Sequence, residues 1–122
     1  MKHILLVDDV STNLKCVGLI LKNKYKVTMV KSGGEALDFL KGVIPDLILL
    51  DIHMQEMDGY EVMQHMKENP ETAEVPVILL TADSDKKCEE RGIALGAVGL
   101  IRKPFEPKVL LDQIEEVWKT EG

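Results

Sequence analysis

The residues able to handle a phosphoryl group or a metal ion stand at or just past the ends of short apolar runs. Asp8 and Asp9 follow Ile4–Val7, Asp51 follows Leu47–Leu50, Thr81 follows Val77–Leu80, and Arg102-Lys103 follows Val98–Ile101. Three carboxylates cannot sit ionised in one dry pocket without a compensating cation. Mg²⁺ (or Mn²⁺) is the natural candidate, because Mg²⁺ uses one or two carboxylates together with waters and phosphate oxygens instead of an all-protein cage. Lys103 supplies a further positive charge and Thr81 a hydroxyl donor. Together these groups suit phosphoryl transfer to a carboxylate, where cations neutralise charge on the equatorial oxygens and one Asp is the nucleophile. Asp51 fits that role best, standing alone at the end of the most apolar run, whereas the adjacent Asp8 and Asp9 look like a paired metal-binding unit. Each residue also has a plainer reading. Asp8-Asp9 could cap the first helix, Thr81 could cap the fourth, and Lys103 could be an ordinary surface lysine. It is their joint placement after successive runs that favours a site.

The elements that must position these residues follow from the same pattern. Ile4–Val7, Val27–Val30, Leu47–Leu50, Val77–Leu80 and Val98–Ile101 are too short for helices and too continuous for half-exposed strands, and read as strands buried on both faces. Helical stretches lie between them. Leu14, Val17 and Leu21 form one stripe. Ser32 and Glu35 have the spacing of a capping box ahead of Ala36, Leu37 and Leu40, with Gly42 as a stop, and Asp58 and Glu61 repeat the device ahead of Val62, Met63 and Met66. A fourth helix is expected from about Ser84 to Leu95 with Gly96 as its stop, and Pro107 opens a fifth carrying Leu110, Leu111, Ile114 and Val117. Strand and helix alternate five times, which implies an α/β, doubly wound, flavodoxin-like fold with a parallel five-stranded sheet and helices on both faces. With strand order 2-1-3-4-5, the crevice at the carboxyl ends lies between the first and third strands and gathers Asp8, Asp9 and Asp51.

Composition narrows the function classes. The chain has 122 residues, enough for one domain with a real core, and no run approaches the length of a membrane span. We expect a domain over residues 1–120, with Glu121-Gly122 as an expression-vector remnant. The N-terminus lacks the features of a signal peptide, so the expected location is the cytoplasm. A net charge of −6 argues against direct nucleic-acid binding and points to protein partners. Cys16 and Cys88 are expected as buried small hydrophobes. His3, His53 and His65 lack ligand spacing, and Met54, Met57, Met63 and Met66 are expected to pack core and loop.

The ordered set Ile4-Leu5-Leu6-Val7-Asp8-Asp9, Pro45-Asp46-Leu47-Ile48-Leu49-Leu50-Asp51, Met57-Asp58-Gly59, Leu79-Leu80-Thr81-Ala82 and Lys103-Pro104-Phe105 resembles bacterial two-component response-regulator receiver domains over essentially the whole chain. The resemblance implies metal-site acids at Asp8 and Asp9, phosphorylation at Asp51, a switch hydroxyl at Thr81, and a phosphate-pairing Lys103 followed by a cis peptide to Pro104. It also implies metal coordination by the main-chain carbonyl of His53. The implied partners are a sensor histidine kinase or histidine phosphotransfer protein, and a downstream effector or attached output domain. The implied chemistry is that of a phosphoacceptor with only intrinsic autophosphorylation and autodephosphorylation, not of an enzyme. Asp9–Lys15 looks like receivers attached to hybrid kinases or cyclic-dinucleotide enzymes. Leu100 stands where relatives carry Tyr or Phe, and Gln55 where they often carry Pro. Two rivals remain. A haloacid-dehalogenase-type phosphatase would want an Asp-x-Asp pair, which Asp51-Ile52-His53 lacks. A non-phosphorylated docking module would usually have lost an acid or the lysine.

Overall fold

The computed structural model describes residues 1–82 and 86–119. Its strands are β1 (His3–Val7), β2 (Lys26–Val30), β3 (Leu47–Asp51), β4 (Val77–Thr81) and β5 (Gly99–Arg102), and its helices are α1 (Ser11–Leu21), α2 (Gly33–Leu40), α3 (Gly59–Glu68), α4 (Lys86–Ala94) and α5 (Pro107–Lys119). All strand pairs are parallel, in the order β2-β1-β3-β4-β5. The sheet and its flanking helices match the fold expected from the alternation.

Alternate residues of the three interior strands serve opposite faces. Leu5, Val7, Ile48, Leu50, Val77 and Leu79 pack with Ala36 and Leu40 of α2 and with Val62, Met63 and Met66 of α3. Ile4, Leu6, Leu47, Leu49, Ile78 and Leu80 pack with Leu14, Val17 and Leu21 of α1 and with Leu110 and Ile114 of α5. Both sets must be apolar, which is why these strands read as continuous runs.

β2 and β5 depart from the expectation of burial on both faces. They are the edges of the sheet, each covered on one flank only, and Met29 of β2 is 48% exposed. The cysteines also depart from it. Cys16 is exposed and Cys88 only partly buried, because Cys16 lies off the Leu14–Val17–Leu21 stripe that meets the sheet.

Start and stop signals act locally. Ser32 Oγ accepts the Glu35 N–H at 3.1 Å, while Glu35 Oε2 accepts the N–H of Lys31, not that of Ser32, at 3.0 Å. Asp58 Oδ1 accepts the Glu61 N–H at 2.9 Å. After α2, Lys41 keeps helical backbone and Gly42 donates to the Phe39 carbonyl at 3.2 Å in a closing turn. Gly96, at φ +100°, ends α4 by reversing the chain so that the Ala97 N–H reaches the Gly92 carbonyl at 2.9 Å. A side chain would be strained in that backbone conformation. The expected helix start at Ser84 and the remnant at Glu121-Gly122 lie outside the described residues.

Candidate functional site

β1 and β3 are neighbours in register, Val7 opposite Leu50, so the residues that follow, Asp8 and Asp51, emerge together at the carboxyl edge. Asp8 is fully buried and Asp51 is 2% exposed, while Asp9 is exposed at the rim. Asp8, Asp9 and Asp51 can each offer one carboxylate oxygen, all within 4.8 Å of one another. Two strands further across, Thr81 and Arg102 are paired in register, and the Lys103 N–H donates to the Thr81 carbonyl at 2.8 Å. Successive side chains of an extended chain point to opposite sides, and the Lys103 Nζ lies 3.2 Å from Asp8 Oδ2 and 3.2 Å from Asp51 Oδ1. Arg102 turns away and meets Glu89 of α4 at 3.7 Å. The Lys103–Pro104 peptide is cis. Thr81 is fully buried at the end of β4.

Main-chain donors hold the carboxylates in place. Asp8 Oδ1 accepts the Val10 N–H at 2.9 Å, and Asp51 Oδ1 accepts the His53 N–H at 3.3 Å. Burial pushes the Asp51 carboxyl up to about 6, and the neighbouring Asp8 carboxylate adds to the rise against the opposing pull of Lys103. Asp8 Oδ2 is buried and makes no hydrogen bond of good geometry among the described residues, its close contact being the Lys103 ammonium. A buried carboxylate oxygen left in that state is costly unless a cation completes it. Three carboxylates against one ammonium leave two negative charges, which matches a hard divalent ion with oxygen ligands. The residues present therefore fit Mg²⁺.

Two features of the site are invisible in residue types alone. A Cβ on Gly59 would lie 2.6 Å from the Asp51 carbonyl oxygen, so glycine is what lets the start of α3 press against the end of β3. In the intervening loop Glu56 has φ 67°, a left-handed conformation uncommon for a residue with a side chain. Leu100 is partly buried against the core that holds α3.

The description of the response regulator receiver domain family matches residues 4–115. A Vibrio cholerae protein named "Probable cyclic di-GMP phosphodiesterase" is 40% identical over 91% of this chain and 25% of its own length. Chemotaxis protein CheY4 of Vibrio cholerae superposes with a TM-score of 0.91 at 30% identity, over 96% of this chain and 98% of that one. The receiver domain of sensor histidine kinase PA1611 from Pseudomonas aeruginosa, solved with a magnesium ion coordinated in its active site cleft, superposes with a TM-score of 0.86 at 28% identity, over 94% and 95%. The chain spans between a quarter and a half of the length of the curated relatives it matches. A family match that runs through all five strands, on a sheet of the same order, means that this chain belongs to the response regulator receiver domains of two-component systems.

Proposed function

We propose that Asp51 is the phosphoacceptor of a phosphorylation-dependent signalling switch. A carboxylate oxygen of Asp51 attacks the phosphorus of a phosphohistidine on a sensor histidine kinase or histidine phosphotransfer protein. The new O–P bond forms in line with the breaking N–P bond, and the imidazole leaves with a proton. The observation that carries the reading is the Lys103 ammonium, 3.2 Å from both buried carboxylates and free to follow charge from Asp51 onto the phosphoryl oxygens. Asp8, Asp9 and Asp51, with the main-chain carbonyl of His53, would hold Mg²⁺ or Mn²⁺, which neutralises phosphoryl charge when bound. Thr81 donates its hydroxyl to a phosphoryl oxygen. The Lys103 backbone bond to the Thr81 carbonyl ties the two residues together. The acyl phosphate later hydrolyses and resets the switch, so the chain is a phosphoacceptor and not a turnover enzyme. The readout passes to an effector protein or output domain, in the cytoplasm, without direct contact with nucleic acid or membrane. No described helix is long and apolar enough to cross a membrane.

Intact-mass measurement after incubation with Mg²⁺ and acetyl phosphate tests the assignment. The expected result is one added phosphoryl group that Asp51→Asn abolishes while the domain stays folded. Retention of the added mass in that variant would move the acceptor elsewhere.

A further inference from the structure

Away from the carboxylates, the outer flank of α1 has its own chemistry. Lys15, Gly18, Leu19 and Lys22 recur at three- and four-residue spacing, forming a stripe beside the buried Leu14, Val17 and Leu21. The opposite flank is occupied: Ile20 packs in the core shared with α5, and Lys24 meets Glu115 of α5 at 3.4 Å. The stripe therefore overlooks β2, the edge of the sheet, where Val27 and Met29 lie opposite Ile4 and Leu6 and rise on the same face. An open groove of about 580 Å³ results, with Gly18, Leu19, Tyr25, Val27 and Met29 as its floor and walls and Lys15 and Lys22 on its rim.

Three observations say what fits there. Its apolar walls stand in water, Leu19 at 63% exposure and Met29 at 48%. Gly18 sits in the helix interior, where glycine is destabilising relative to alanine. Neither backbone nor packing demands it, since a Cβ there would meet the flexible end of Met29 at an ordinary 3.4 Å; its absence leaves the floor open. Charge is also segregated. The whole chain carries −6, yet its first 31 residues hold six lysines and no acid except Asp8 and Asp9. Lys15 and Lys22 make no ion pair among the described residues, unlike Lys24, Lys41, Lys103 and Lys119.

We infer that the α1–β2 groove docks an amphipathic helix of a partner protein, with apolar residues along one stripe and carboxylates flanking it. The apolar floor takes the stripe, and Lys15 and Lys22 meet the acids. Lipid is disfavoured because the apolar residues line a recess between α1 and β2, with its floor at Gly18, and do not form the continuous apolar face of an amphipathic helix. Nucleic acid is disfavoured because the floor is mainly aliphatic and the Tyr25 ring is taken up against Trp118, their centroids 5.5 Å apart, leaving no free aromatic platform for bases. The inference does not depend on phosphorylation of Asp51.

The test titrates ¹⁵N-labelled protein with a synthetic helical peptide carrying Leu at i, i+3, i+4 and i+7 and Glu on the flanks. The same peptide with Lys replacing Glu, phosphatidylserine vesicles and a DNA duplex serve as competing probes. The expected result is that the Glu peptide alone moves the amide signals of Gly18, Leu19 and Val27–Met29. Its affinity should fall about tenfold or more in Leu19→Asp, and likewise in the double variant Lys15→Glu with Lys22→Glu. All three positions are exposed, so these variants should fold, and acetyl phosphate should label the double variant as it labels the parent. Equal binding of the Lys peptide, preferential binding of vesicles or duplex, shifts confined to another face, or no shifts in the groove would each overturn the inference.

Discussion

Helices α3 and α4 lie on the same side of the sheet, yet they are attached by different physics. α3 buries Tyr60, Val62, Met63 and Met66 in the core and begins with Gly59 pressed on the Asp51 carbonyl. α4 buries only Gly92 among its described residues. Beyond the close seat of Gly92 on Leu79, the contacts of α4 include peripheral ones: the Tyr60 hydroxyl donates to the Cys88 carbonyl at 3.2 Å, the Arg91 guanidinium lies 4.1 Å from the Tyr60 ring centroid, and Arg102 meets Glu89 at 3.7 Å. Core burial is non-directional and large in sum, whereas each of these peripheral contacts is worth about 1.5 kcal/mol at most. α3 is thus a fixed wall of the site. α4 is the more lightly buried attachment, and its restraints include α3 through Tyr60, β5 through Arg102 and β4 through Gly92 on Leu79.

The contrast breaks most visibly on truncation. Met63→Ala in α3 is expected to lose about 2–5 kcal/mol in urea unfolding, while Ile93→Ala in α4, at a side chain 62% exposed, should stay within about 0.5 kcal/mol. Equal losses would mean that α4 is anchored as firmly as α3.

A smaller effect tests α3 as a wall. Because Gly59 pins the Asp51 backbone, the carboxyl cannot escape its burial by moving, and its charge must appear as a stability difference. The folded carboxyl sits at about 6 against an ordinary 3.8, so between those values the folded state holds a proton that the unfolded chain has released. Stability in metal-free buffer therefore falls as pH rises through this window, and the deficit is complete above it. Asp51→Asn should abolish that share of the fall, gaining about 1–2 kcal/mol over the parent at about pH 7.5 compared with about pH 5. Parallel curves for the two proteins in chelator would refute the pinning.

The smallest expected effect isolates α4. Tyr60→Phe removes the hydroxyl bond to Cys88, at a cost of about 0.5–1.5 kcal/mol. Amide hydrogen exchange should place that loss in α4, with faster exchange at Glu89–Ala94 and unchanged protection in α3 and β4. Uniform loosening would show that α4 opens only with the whole domain.

Much of this architecture was legible in the sequence. Interior strands covered on both faces must be continuously apolar, so β1, β3 and β4 announced themselves, and the acids and lysine that follow them had to meet at one edge. Ser32 and Asp58 marked helix starts because their side chains answer donors three residues away. What was not legible depended on neighbours distant in sequence. Whether a strand is an edge depends on sheet order, so the exposure of Met29 was invisible. Gly59 reads like any glycine until the Asp51 carbonyl is seen beside it. The motif marks Lys103 as the site cation, but that Arg102 turns to Glu89 of α4 depends on a helix distant from it in space until the chain folds. Cys16 was assigned by residue type where helical phase should have decided.

The order in which the site is assembled along the chain also bears on folding. The carboxylates of β1 and β3 can meet once the first 51 residues exist, but their ammonium partner belongs to residue 103, beyond β5. A partly made or partly folded chain that pairs β1 with β3 brings like charges together in a closing apolar pocket with nothing to offset them. Such an intermediate is penalised by the residues that later form the site. The penalty is lifted only when the last strand arrives, so the acidic cluster ties the two halves of the sheet into one cooperative unit and disfavours a half-formed domain.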